Sequence, residues 1–177
     1  MSKVVVVYRS KCGSAEKYAR WIAEELQADL LGGKQLKMSE LSAYDVIVYC
    51  GGIYVGGILG FSLIKKNYDD LKHKRIFVVA VGATLKKEEA LEEIKKRNFT
   101  PEMNDRISLF LLRGGLDYKK MKWLDRLLMK LLVRSLKSKD PDTLDDESKG
   151  IIATYGKTVD FTNKNTIYPL IEAIRGE

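Results

Sequence analysis

With 177 residues the chain is long enough for one domain with a three-layer core. An apolar content of 45% and three prolines exclude a disordered or fibrous chain, and no run approaches the roughly 18 uncharged apolar residues of a membrane span. The net charge of +7 sits wholly within residues 118–139, which hold eight Lys/Arg and one Asp while the rest of the chain is neutral.

Residues 4–7 are four consecutive valines, the composition of a parallel strand buried on both faces. A polar turn follows, Ser10-Lys11-Cys12-Gly13-Ser14, and then a helical pattern with Tyr18, Ala19, Ile22, Ala23 and Leu26 on one side. A weak second strand is expected around 30–36, interrupted by Gly32-Gly33, with a short helical or turn connection at 39–41. Residues 45–50 read as a third buried strand running into Gly51-Gly52. A helix is expected over 58–71, and a fourth strand over 75–81 that ends in Gly82-Ala83-Thr84. A charged surface helix spans 86–97, with Leu91 and Ile94 facing in. Pro101 is expected to end that connection, and a fifth strand over 106–112 leads to Gly114-Gly115. Beyond the basic segment, the acids of 140–147 read as a turn and helix start. Residues 148–155 continue that helix to a stop at Gly156, and a closing helix spans 166–174.

Five apolar strands alternating with helices argue for an open parallel α/β sheet, whose ligand lies beyond the carboxyl ends of the strands. Strands one, three, four and five each end in small or glycine residues, so backbone there can approach something flat. The first exit joins strand, hydroxyl-bearing turn and helix amino-terminus into an anion cradle. Unpaired first-turn N–H groups, the helix dipole and the Ser10 and Ser14 hydroxyls all favour a phosphate. An ordinary strand-to-helix turn reads the same way on this stretch alone. The residues after Gly13 do not complete a Walker loop, and one glycine is no dinucleotide fingerprint. A low-molecular-weight phosphatase or arsenate reductase also places Cys at this turn, but needs an Arg six residues later, where this chain has Tyr18.

The spacing Ser10-x-x-Gly13-Ser14 resembles the FMN-phosphate loop of the flavodoxin family, Ser/Thr-x-Thr-Gly-x-Thr. Cys12 stands where a hydroxyl is usual, and Ala15 replaces the last Thr. The third strand's exit, Cys50-Gly51-Gly52-Ile53-Tyr54-Val55-Gly56-Gly57, resembles the family's Gly-Ser-x-Ile-Tyr-x-Gly turn, whose aromatic covers one flavin face. Tyr54 offers a π surface for stacking, worth about 0.5–1.5 kcal/mol beyond area burial. A Tyr packed on the surface is the plain alternative. The resemblance implies FMN as cofactor and a flavodoxin-like three-layer sandwich with a five-stranded parallel sheet in the order 2-1-3-4-5. It implies cofactor contacts from Ser10, Lys11, Cys12, Gly13, Ser14 and Ala15, and from Gly52, Ile53, Tyr54, Val55 and Gly56. Gly82, Ala83 and Thr84, with Gly114 and Gly115, complete the implied set. No dedicated catalytic acid or base stands among them, which suits hydride or electron transfer carried by the cofactor. Cys12 reads as structural.

The basic segment reads YKKMKWLDRLLMKLLVRSLK over 118–137. Lys122, Arg126, Lys130 and Arg134 recur every four residues as a helical stripe, with Trp123 near the start and Leu124, Leu127, Leu128, Leu131 and Leu132 on the other faces. Such a helix suits an anionic membrane interface. The alternative is a solvated helix packing its Leu face on the protein or on a twin subunit, which would make a homodimer. No aromatic interleaving or groove-reading motif points to nucleic acid. Residues 113–118, RGGLDY, and 123–131, WLDRLLMKL, resemble the corresponding part of the menaquinone-dependent protoporphyrinogen dehydrogenases. That resemblance implies a basic helical insertion over 118–147 within a single domain, a quinone-type acceptor and peripheral membrane association. A flavodoxin-type electron carrier, docking on a redox partner through this helix, and a flavodoxin-shaped interaction module with an empty site are the other readings. Cys12 and Cys50 make no disulfide framework, the lone His73 builds no metal site, and the opening MSKVVVV lacks a signal pattern, so a cytoplasmic setting is expected.

Overall fold

A computed structural model describes residues 2–34, 36–83 and 87–176. Strands β1 (Val4–Arg9), β2 (Asp29–Gly32), β3 (Val46–Tyr54), β5 (Arg75–Gly82) and β6 (Ile107–Arg113) form a parallel sheet in the order β2-β1-β3-β5-β6. A two-residue β4 (Gly57–Ile58) folds back antiparallel on Ile53 and Tyr54. This is the expected order 2-1-3-4-5; β4 only shifts the numbering.

Continuous apolar runs are required because each strand is covered on both sides. Val5, Val7, Ile47, Tyr49, Ile76, Val78 and Ala80 point to one face, under α2 (Met38–Leu41), α3 (Ser62–Lys66), α4 (Tyr68–Leu71), α5 (Lys87–Asn98) and α6 (Pro101–Arg106). Their neighbours Val6, Val48, Cys50, Phe77, Val79 and Val81 point to the other, under α1 (Ser14–Leu26) and the closing α9 (Tyr168–Arg175). Between β6 and α9 lie α7 (Trp123–Lys137) and α8 (Asp146–Thr154), and a bridge from Leu116 to Val159 returns the chain to the sheet.

Three expectations are corrected. Residues 58–71 are not one helix: Ile58 is taken by β4, and Asn67, at φ −113° and ψ 23°, separates α3 from α4 while its amide donates to the Leu63 carbonyl at 2.8 Å. Pro101 opens a helix rather than ending a connection. Thr100 caps α6 by accepting from the Met103 N–H at 3.4 Å, and Pro101 fills the first turn, where its missing N–H is not needed. The second strand stops at Gly32, opposite Tyr8, and Gly33 follows outside the strand with its N–H donating to the Tyr8 carbonyl at 2.8 Å.

Gly115 permits the return bridge: an added Cβ would overlap the Val159 carbonyl oxygen and lie 2.9 Å from the Asp160 Cα. Both are backbone atoms, which cannot swing away. Gly115→Ala is therefore expected to destabilise the protein by about 1–3 kcal/mol, lowering the thermal midpoint by several degrees. An unchanged melting curve would contradict this packing.

Candidate functional site

The loop after β1 is shaped by one left-handed residue. Gly13, at φ 91°, caps α1, and its carbonyl accepts the first helical bond from Lys17 N–H at 2.9 Å. Ser10 Oγ accepts from Gly13 N–H and Ser14 Oγ from Gly115 N–H, both at 2.9 Å. Each serine thus spends a lone pair on the backbone and keeps its O–H proton to donate elsewhere. The first-turn N–H groups of Ser14, Ala15 and Glu16 have no intrahelical acceptor, so the α1 terminus adds donors and positive potential. Tyr18 is fully buried; its hydroxyl donates to the Arg113 carbonyl at 2.8 Å and accepts from Asn163 N–H at 3.1 Å. It braces α1 and supplies no oxyanion clamp.

At the end of β3, Tyr54 donates its hydroxyl proton to Asp125 Oδ1 at 2.7 Å. The Lys11 ammonium lies 3.4 Å from the centroid of the Tyr54 ring and bonds both oxygens of Asp125, at 3.1 and 3.3 Å. The Tyr54 hydrogen bond, helped by Lys11, holds the Asp125 carboxyl below the usual carboxylate range. Val55, next in the turn, is 73% exposed and adopts φ 49°, unusual for a β-branched residue. Asn98 at the end of α5 secures this hairpin, accepting from Ile58 N–H at 2.9 Å and donating to the Gly56 carbonyl at 3.1 Å.

The strand ends converge on one cavity of about 470 Å³. Ser10, Lys11, Cys12, Ser14 and Ala15 form its donor-rich end, and Gly52, Ile53, Tyr54 and Val55 one wall. Gly82, Ala83, Gly114 and Gly115 complete the part expected from sequence. Gly13 and Gly56 do not line it; Gly13 turns the loop, and Gly56 borders a separate hollow of about 290 Å³ with Glu89, Glu93 and Glu147. Thr84 lies outside the described residues. Sequence reasoning missed the far wall: Leu59, Val81, Leu116, Met121, Asp125, Leu128, Met129 and Leu132. Asp125 carried a signal, being the single acid in the basic segment, whereas the apolar residues carried none that separates a cavity wall from a core.

Helix α7 presents three arcs at 100° per residue. Asp125, Met129, Val133 and Leu136 face inward, with Val133 and Leu136 buried. Lys122, Arg126, Lys130 and Arg134 are exposed beside Trp123, which is 71% exposed; Arg126 also donates to the Tyr118 and Lys119 carbonyls at 3.1 and 3.2 Å. Leu124, Leu127, Leu128, Leu131 and Leu132 remain 42–54% exposed. The expectation that the Leu face packs on the protein itself is therefore corrected: Val133 and Leu136 do that work, because they share the arc of Asp125. Among the described residues no helix is long and apolar enough to cross a membrane.

The flavodoxin domain family model matches residues 5–143. Among solved structures, the Trp repressor binding protein of Bacillus subtilis is 16% identical with a TM-score of 0.50, over 63% of this chain and 85% of that one. A WrbA-like flavodoxin from Agrobacterium tumefaciens is 18% identical with a TM-score of 0.47, over 68% and 88%. The two-electron reduced flavodoxin of Megasphaera elsdenii is 15% identical with a TM-score of 0.46, over 61% and 84%. No curated protein matches. At 16% identity the Bacillus subtilis structure speaks to the fold alone; the family model, spanning well over half of the sequence, makes this chain a member of the flavodoxin domain family.

Proposed function

We propose that this protein is an FMN-dependent oxidoreductase that passes electrons through the flavin to a quinone-type acceptor. The observation that carries the cofactor is the convergence of four strand exits on one cavity, donor-rich at the 10–15 loop and apolar elsewhere. The donor set fits a phosphoryl group: first-turn amides and two hydroxyls with free protons, while Lys11 offsets the charge of Asp125, the nearby carboxylate. Family membership supports the same cofactor.

Bound FMN supplies the hydride and electron transfer that no side chain here provides. The chain's part is to seat and shield. The Ser10–Ala15 segment receives the phosphoryl tail, Tyr54 covers the ring, and Leu116, Met121, Leu128 and Met129 keep water from it. The apolar side chains that α7 adds to the same cavity suit an apolar acceptor. The resemblance of residues 113–118 and 123–131 to menaquinone-dependent protoporphyrinogen dehydrogenases supports this reading over a simple shuttle. The exposed leucine and basic arcs of α7 support docking on an anionic membrane surface; the same arcs would serve a carrier docking on a redox partner.

The purified protein, loaded with FMN, should be yellow, and quenching of flavin fluorescence should report stoichiometric binding. Tyr54→Ala should weaken that binding about tenfold. A colourless protein that takes up no FMN would overturn the cofactor. Turnover of a soluble quinone analogue is expected of the oxidoreductase; flavin reduced only by a reductase partner, with no quinone turnover, would establish the carrier instead. Replacing Lys122, Arg126, Lys130 and Arg134 together by Ser should lower affinity for anionic vesicles roughly hundredfold or more, at about 1 kcal/mol per basic residue. Unchanged pelleting would end the membrane proposal.

A further inference from the structure

We propose that Asp125 is the positioning residue of this site, a latch by which α7 is held across the cavity and by which Tyr54 and Lys11 are held in place. Three segments far apart in sequence meet at its carboxylate. Lys11 arrives from the β1–α1 loop 114 positions away, and Tyr54 from the end of β3 71 positions away. Only 13% of the Asp125 side chain is exposed, although it sits in a helix whose leucines and lysines face solvent. The geometry is shared rather than pairwise. Tyr54 donates to Oδ1, Lys11 bridges both oxygens, and the Lys11 ammonium covers the Tyr54 ring.

The buried anchors of α7, Val133 and Leu136, lie in its carboxyl-terminal half. Its amino-terminal half spans the cavity, and Asp125 is the group there that bonds to the sheet-end loops, while Arg126 bonds only the carbonyls of the turn just before the helix. Charge-assisted hydrogen bonds are the strong class, and losing one partner of a shielded pair leaves the others unsatisfied. The latch therefore joins two events. When α7 lifts, Tyr54 loses the bond that fixes its ring plane, and Lys11 loses both carboxylate oxygens. The consequence for the cofactor rests on the FMN reading above: flavin retention depends on a residue that need not touch flavin at all.

The groups facing Asp125 are Tyr54 from β3, Lys11 from the β1–α1 loop and Lys122 from the start of its own helix. Its carboxyl, depressed in the folded state, contributes above the unfolded value near pH 3.9 and loses that contribution as pH falls through the lower folded value.

The test begins with the protein free of flavin. In Asp125→Ala, amide hydrogen exchange over residues 123–131 should quicken about tenfold relative to wild type, while the amides of α1 keep their protection. Asp125→Asn, which keeps an acceptor for Tyr54 but not the charge for Lys11, should fall between. Its residual effect should vanish in a Lys11→Met background. Below about pH 4, wild-type protection over 123–131 should drop toward that of the Asn variant, whose own protection stays level relative to α1. With FMN, dissociation should accelerate about tenfold in Asp125→Ala and less in Asp125→Asn. Wild-type exchange over 123–131 in both variants would overturn the latch. Failure of FMN to bind would overturn the cofactor reading and leave the exchange result standing.

Discussion

Burying β1, β3 and β5 on both faces constrains everything else in this molecule. A parallel strand covered above and below must satisfy all its backbone groups in the ladder, so polar chemistry is driven to the strand ends. The carboxyl ends of β1, β3, β5 and β6 come out side by side, and residues at four strand ends therefore share one cavity. The amino-terminus of α1 enters that cavity because β1 lies inside the sheet, between β2 and β3. Its dipole and free amides are a by-product of the βα connection that the fold turns to use.

Electrostatics then closes the site. The segment 118–139 carries all of the net positive charge, yet its one acid points inward and its cations point out. Facing the other way, that carboxylate would meet only solvent and lysines of its own helix. Facing inward, it satisfies a phenol and an ammonium that line the cavity. A second polar seam holds the opposite side: Lys17 on α1 meets Asp160 at 2.7 Å, and with the Thr162 bonds it lowers the Asp160 carboxyl to about 2. That seam keeps the returning chain over Gly115, next to Ser14 at the donor-rich end of the cavity.

The strands were legible because the valine-rich runs of β1, β3 and β5 leave no other period open, and their order followed from the resemblance to the flavodoxin family. The two loops at 10–15 and 52–56 were legible because spacing of serine, glycine and tyrosine is a local property. Less legible was whatever depended on distant packing. Residues 58–71 carry helical spacing, but Ile58 gains more as a partner of Ile53 in β4, and Asn67 interrupts the remainder. Pro101 looked like a stop, and only the Thr100 cap makes it a start. On α7 the spacing of the leucines left open a membrane-facing arc, a face packed on the protein and a face packed on a twin subunit. The packed arc is instead Val133 and Leu136, selected by the partners that Asp125 finds across the cavity. A carboxylate's partners 114 and 71 positions away leave no trace in the linear order.

The proposed function requires the β1 exit to seat a phosphoryl group while the cavity beyond it takes a flat ring. Comparing FMN with riboflavin, which has the same ring and no phosphate, isolates the cradle from the stack. Measured by fluorescence titration at equal ionic strength, FMN should bind about a hundredfold more tightly or better, as expected for several charge-assisted bonds to the 10–15 loop. Equal affinity for the two ligands would contradict the account.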